Sequence, residues 1–299
     1  RTLEGLVGPY CSTASLGAAS YASSVNIPQI SFASTASELS DKNDYGSFAR
    51  TCLPDSVQGY LLSDILYKLR LYDVAVVYTD DDYSSSLAKL FVSSYEERNG
   101  TVLKQITFAS KSGENATFYE DIMDVIATTG APGIVLVTTA SEAQKLLVAR
   151  ASHPVMRSDK FLWAGVDDWI GSDDVSAPAG TIGLVPQPFD DTEFDVGQQF
   201  MDLWKSLDST EYPDADGDRT TLSTYTAYAV DAVFGMALAH QAVIDSNFDG
   251  TAEERNKEAY LDLLGSVFFI GVTGQVDFDA SGDRLYAHYD ILNVDSGGT

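Results

Sequence analysis

Short, continuously apolar runs alternate along this chain with longer stretches whose apolar residues recur every three to four positions. The runs IPQISFA (27–33), DVAVVYT (73–79), GIVLVTT (133–139) and KFLWAGV (160–166) are rich in β-branched and aromatic residues, as strands buried on both faces are. FARTC (48–52) and TVLKQITF (101–108) read as two further strands. Helical periodicity predicts helices over about 13–25, 56–70, 84–98, 117–129 and 141–151. Strands separated by amphipathic helices imply parallel sheets covered on both faces, hence an α/β fold. Beyond TIGLVPQPFDD (181–191) the pattern changes to three helices, at about 193–207, 221–244 and 252–264. The closing FFIGVTGQVDFDASGDRLYAHYDILNV alternates apolar and polar residues around Ser281-Gly282-Asp283, which predicts a β-hairpin.

A helical block set between two strand-rich blocks predicts two lobes between which the chain crosses more than once. Residues 1–53 with 191–270 are expected to form lobe one, and residues 54–190 with 271–299 lobe two. A bilobed body of this kind places its cleft at the hinge. No solenoid repeat or low-complexity tract occurs.

Composition narrows the partners. The 299 residues carry 44 acidic against 18 basic side chains, a net charge of -26, which excludes nucleic acid and anionic membrane as binding surfaces. The acids are scattered, as on a solvated surface. No run of 18 apolar residues occurs, so no membrane span is expected here, and any targeting segment or membrane contact is expected outside Arg1–Thr299. Cys11 and Cys52 leave two readings open, one bridge or two thiols. The sequons at Asn99 and Asn115 fit an exposed, secreted domain.

The candidate chemistry lies at the strand exits, where parallel sheets bind ligands. IPQISFA ends in Ala33-Ser34-Thr35, and Ser12, Asp55, Tyr83 and Asp167 also follow strands or open helices. Hydroxyls and free N–H groups at such an exit face an anion, and a nearby carboxylate faces a cation. Ser12, Thr35 and Asp55 equally suit helix capping, and both roles can coexist at Asp55. Asp168 adjoins Asp167, so the register there is open by one residue, whereas Trp169 reads as packing. Asp245-Ser-Asn247-Phe-Asp249-Gly250 has the alternate-oxygen spacing of a calcium loop, with Glu253 at its ninth position and Asn256 in place of the usual glutamate at its twelfth. Calcium is thus the one cofactor weighed, against a plain acidic interhelical loop. Asp214-Ala-Asp216-Gly-Asp218 is a weaker acidic cluster. The three histidines are far apart, and no G-x-S-x-G elbow, P-loop or H-E-x-x-H is found, so an enzyme is not expected.

The segments VGPYCSTAS and IPQISFASTASELSDKNDYGSFARTCLPD, then VYTDDDYSSS, WAGVDDWIG and GVTGQVDFDASGDRLYAHYDILNV, closely resemble the extracellular ligand-binding domain of metabotropic glutamate receptors and their class C relatives. The resemblance spans Gly5 to Val294 and implies the type I periplasmic-binding-protein fold. It implies that Ser12 and the Ala33, Ser34, Thr35 exit hold the α-carboxylate of a free amino acid. Thr35, Asp55 and Asp167 are then implied for the ammonium, with Tyr83 stacked over it. It further implies a homo- or heterodimer formed through lobe one, an extracellular location on a membrane receptor, and a chain that starts partway into lobe one. An amino-acid solute-binding protein of a transport system is the alternative on the same fold.

Two departures matter. The lysine that pairs a distal carboxylate in glutamate-binding members falls at Ala259 here, with Lys257 on another helix face, and the family's distal arginine would lie upstream of Arg1. The family's cysteine pattern in the helical region is also missing.

Overall fold

The computed structural model describes residues 3–110, 116–172, 174–189, 196–208, 210–212 and 223–295. The sequon residue Asn115 and the Asp214–Asp218 cluster lie outside the described residues. In chain order the first elements are β1 (Leu6–Val7), α1 (Ser12–Ser24), β2 (Gln29–Ser31), a 3-10 turn (Ser37–Ser40), β3 (Phe48–Arg50) and α2 (Asp55–Lys68). Next come β4 (Asp73–Thr79), α3 (Asp82–Glu97), β5 (Thr101–Phe108), α4 (Ala116–Thr129), β6 (Gly133–Val137), α5 (Ala140–Ser152) and β7 (Leu162–Gly165). The chain ends with β8 (Ile182–Pro186), α6 (Val196–Ser206), α7 (Thr224–Asp245), α8 (Ala252–Gly265), β9 (Phe269–Gly271), β10 (Gly274–Val276) and β11 (Tyr289–Asn293). It is a mixed α/β protein with mostly parallel sheets, as the strand–helix alternation requires.

Two compact units form, Arg1–Pro54 with Pro186–His288 and Asp55–Val185 with Tyr289–Thr299. The first holds a parallel sheet of order β1-β2-β3. Helices α7 and α8 bury Ala232, Met236, Ala239, Ala259 and Leu263 together with Ile30 and Ala49 from that sheet. By length and composition α7 is apolar enough to cross a membrane, with a mean hydropathy of 1.4 over its best window. Its face of Tyr228, Asp231, Ala232, Met236 and Ala239 is nevertheless buried within unit one, so it reads as a core helix.

Unit two holds a six-stranded sheet of order β11-β8-β7-β6-β4-β5. Every residue of β6 is buried, which is why its sequence is continuously apolar. Edge strand β5 instead exposes Thr101, Leu103, Lys104, Gln105 and Thr107. Strand β11 runs antiparallel to β8, with Gly180 N donating to Val294 O (2.7 Å) at one end and Gln187 N to His288 O (2.9 Å) at the other.

Two expectations change at the end of the chain. The hairpin among the described residues is β9–β10, turning at Val272-Thr273, while Ser281-Gly282-Asp283 closes the isolated bridge Phe278–Arg284. Residues 271–288 also group with unit one, where the sequence pattern had assigned them to lobe two. The reason is polar. Arg50 N donates to Gly282 O (2.9 Å), Arg50 Nε to Asp283 Oδ1 (2.7 Å) and Arg284 Nη1 to Thr51 O (3.1 Å). Pairings more than 230 residues apart leave no trace in local periodicity.

Lys42 yields a prediction here. Its Nζ donates to Phe48 O (2.7 Å) and Tyr45 O (3.3 Å), and burial lowers its pKa to about 8. Asp283, Asp279 and Asp41 oppose that shift while Arg50 reinforces it. Between pH 8 and the unfolded value of 10.5 the unfolded chain holds a proton that the folded one has lost, so stability rises with pH in that window. Thermal unfolding at about pH 8 and about pH 10 should show this rise in the parent and a flatter profile in Lys42→Met.

Candidate functional site

In unit one the site residues gather where α1 begins and β2 ends. Ser12 opens α1 and is buried, and its Oγ accepts from Ala36 N at 3.2 Å, tying the strand exit to the helix start. Ser31 Oγ donates to Pro9 O (2.8 Å) and accepts from Ser34 N (3.0 Å) and Ala33 N (3.4 Å). The Ser34 Oγ lies within hydrogen-bond distance of Ser15 Oγ (2.7 Å), Tyr10 O (3.0 Å) and Pro9 O (3.2 Å), all in the same unit. The Ser34 side chain therefore builds the segment's shape. Thr35 differs: it is 2% exposed, yet its Oγ1 has no hydrogen-bond partner among the described residues. An unmet buried hydroxyl costs about 1–3 kcal/mol, which makes Thr35 the leading candidate here for contact with a ligand.

Sequence reasoning passed over an aromatic wall beside this segment. The ring of Tyr10 packs edge-on against Tyr225 (centroids 5.4 Å) and Phe32 (6.2 Å), and Tyr225 adjoins Tyr228 at 6.1 Å. Tyr10 stands two residues before Ser12, which was the available signal. No disulfide joins the two cysteines, of which Cys11 is exposed and Cys52 buried, and this decides between the two open readings.

In unit two the site residues lie at the carboxyl end of the sheet. Asp55 starts α2 and is fully buried. Asp81 caps α3 by accepting from Ser84 N (2.9 Å), which sets Tyr83 in the first turn of that helix. The Tyr83 hydroxyl donates to Asp167 Oδ1 at 2.7 Å. Burial pushes the Tyr83 phenol well above its ordinary pKa, and Asp167, Asp168 and Asp55 add to the shift in that order. Three carboxylates thus lie near one neutral phenol, which makes this end of the unit-two sheet electronegative and suited to a cation.

The adjacent aspartates separate in role. Asp167 meets Tyr83, whereas Asp168 Oδ2 accepts from Ala140 N (2.9 Å) at the start of α5. Trp169 is packing, as expected, 1% exposed with Nε1 donating to Leu136 O (3.0 Å). Beneath them Thr79 Oγ1 hydrogen-bonds Asp81 (2.6 Å), Ser84 (2.8 Å) and Thr138 (3.1 Å), joining the ends of β4 and β6.

Over residues 1–297 the chain matches the model of the receptor family ligand binding region. The chain belongs to that family. It is 30% identical over 203 residues to metabotropic glutamate receptor 6 of Oryctolagus cuniculus, which covers 66% of this chain and 23% of the relative. It is 29% identical over 167 residues to metabotropic glutamate receptor 8 of Homo sapiens, covering 56% and 18%. Against the metabotropic glutamate receptor of Drosophila melanogaster it is 26% identical over an alignment of 372 residues, covering 97% and 38%. The chain therefore spans 18% to 38% of the length of these relatives. As a receptor ligand-binding region it is not an enzyme.

Within this ligand-binding region Ala259 is fully buried in the α7–α8 core, and Lys257 is exposed. No cation stands at the position expected to pair a distal carboxylate. Several polar groups of the Asp245 loop are engaged within the protein. Asp245 Oδ1 accepts from Gln241 (2.8 Å), Glu253 from Asn26 (2.7 Å), and Asn256 donates to Leu3 O (3.1 Å). Thr251 and Glu254 form a capping box at the start of α8. Among the described residues no three His, Cys, Asp or Glu side chains, including Asp245 and Asp249 beside Asn247, are grouped to hold a metal ion.

Proposed function

We propose that the chain is the extracellular, amino-acid-sensing part of a class C receptor-like protein. Its ligand is a free α-amino acid, and lobe one carries the dimer contact. The reading rests above all on Thr35, whose buried hydroxyl has no partner among the described residues. In this reading unit one supplies Ser12, the Ala33–Thr35 backbone and the Thr35 hydroxyl to the α-carboxylate. Unit two supplies Asp55, Asp167 and the Tyr83 ring to the α-ammonium. Binding favours the arrangement in which both halves reach one ligand, and only that difference in affinity drives signalling. The exposed sequon at Asn99, in a turn with φ of 64°, fits an extracellular surface.

The relatives are named for glutamate, but Ala259 removes the basis for a distal carboxylate here, so the α-amino-acid group alone is carried over. Thermal shift against the twenty amino acids tests the reading, followed by calorimetry on the binders. Thr35→Val and Asp167→Asn should each weaken binding by about 10- to 100-fold, the worth of one charge-assisted hydrogen bond. Unchanged affinity in both variants, or no shift with any amino acid, overturns it.

A further inference from the structure

Arg50 lies outside the set of residues assigned above to the ligand, yet it is the most heavily engaged side chain near Thr35. It is 0% exposed. Its Nη1 donates to Ser34 O (3.0 Å) and Ala36 O (2.8 Å), the carbonyls on either side of Thr35. Its Nη2 donates to Ser40 Oγ (2.5 Å) and its Nε to Asp283 Oδ1 (2.7 Å), and Ser40 Oγ in turn donates to Asp283 Oδ2 (2.7 Å). Guanidinium, hydroxyl and carboxylate thus form a closed ring, held from the far end of the chain.

The consequence for Thr35 is geometric. Drawing the carbonyls of Ser34 and Ala36 to one nitrogen fixes the backbone on both sides of Thr35. The Ala36 N–H is meanwhile held by Ser12. Thr35 is clamped by its neighbours while its own hydroxyl has no partner among the described residues. Lysine cannot replicate this grip, because a single ammonium lacks the planar fork that reaches two carbonyls, a hydroxyl and a carboxylate together. As a purely stabilising device a buried ion pair is poor, since apolar residues of similar volume often serve as well. Its distinctive contribution is placement.

We propose that Arg50, set by Asp283 and Ser40, is the positioning residue for the carboxylate-binding segment and fixes Thr35 in its ligand-ready geometry. The proposal rests on the amino-acid reading of the site and adds to it a device that orders the segment. Lys42 also lies close to Arg50, and its ammonium repels the guanidinium and makes the Asp283 carboxylate more necessary.

The test uses the full chain and L-alanine, whose side chain asks nothing of a distal subsite. Calorimetry should show Arg50→Lys weakening L-alanine binding by about 10-fold or more and Ser40→Ala by about 3-fold. The double variant Thr35→Val/Arg50→Lys should bind no worse than Thr35→Val within about 2-fold, because Arg50 acts through Thr35. Hydrogen exchange supplies a readout independent of ligand. Amides in the segment 32–38 should exchange about 10-fold faster in Ser40→Ala and in Asp283→Asn, which serve if Arg50→Lys does not fold. Variants that lose thermal stability but keep L-alanine affinity, multiplicative losses in the double variant, or unchanged exchange overturn the proposal. If the parent binds no amino acid, the functional reading fails and exchange alone decides the role of Arg50.

Discussion

Asp231→Ala is expected to destabilise unit one by about 3–5 kcal/mol, since it removes the acceptor from several buried donors at once. Asp231 is fully buried on α7, and its carboxylate accepts from Val272 N (2.7 Å), Thr273 N (2.9 Å) and the Thr273 hydroxyl. These donors form the turn between β9 and β10, so the carboxylate plays the part that a strand partner would otherwise play. Arg284 completes the arrangement, donating to the Thr273 hydroxyl, to Thr273 O (2.9 Å) and to Gln275 O (2.7 Å). A Cβ on Gly271 would collide with the Asp231 carboxylate, so that position admits only glycine.

Chemical denaturation should show a lower midpoint for Asp231→Ala, and an unchanged midpoint would remove the carboxylate from this role. The pH dependence gives a second readout. Burial raises the Asp231 carboxyl above its ordinary value, with Thr273, Val272 and Arg284 pulling the other way. Between the unfolded and folded values the native state keeps a proton that the unfolded chain has released, so stability falls as pH climbs through that window. The alanine variant should lack this slope.

Gly282→Ala should cost about 3 kcal/mol, against about 1 kcal/mol for Gly130→Ala. Both glycines have left-handed backbones, φ of 69° and 68°, so the conformational penalty is common to them. They differ in space. Nothing lies within 4 Å of a Cβ at Gly130, whereas a Cβ at Gly282 would press into Phe48 O and approach Ala49 Cα to 3.1 Å. Relief would require the 279–284 turn to move away from β3, breaking the Arg50 N to Gly282 O bond and straining the Arg50–Asp283 pair. Paired denaturation curves check the difference, and equal losses at the two positions would show that the close approach is unimportant. If Arg50 positions Thr35, a folded Gly282→Ala protein should also bind more weakly.

Local pattern was a good guide wherever an element's own neighbours decide its environment. β6 is apolar throughout because helices cover both faces of its sheet, and Trp169 packs because it follows a buried strand. It was a poor guide to side chains whose partners are remote. Ser34 and Thr35 are adjacent hydroxyl residues at one strand exit, but only the structure shows Ser34 turned to Ser15 and Pro9 while Thr35 is left unmatched. Asp167 and Asp168 were interchangeable in sequence and are distinct in space, one on Tyr83 and the other at the start of α5. The calcium-like spacing at Asp245 was genuine in sequence, but spacing alone does not turn oxygens toward a common centre. There Asp245 and Glu253 accept from Gln241 and Asn26 instead.

By itself, then, the sequence determined the α/β class, the order of strands and helices, and the strand exits at which polar side chains collect. Those properties follow from the period of apolar residues and from turn chemistry, both local. Only the tertiary structure decided that residues 271–288 belong with unit one, that Arg50 is closed by Asp283, and which hydroxyl just after Ile27–Ala33 has no partner among the described residues. Each of these depends on donors and acceptors brought together across the fold. Periodicity records which face of an element is buried, but carries no information on what meets it there.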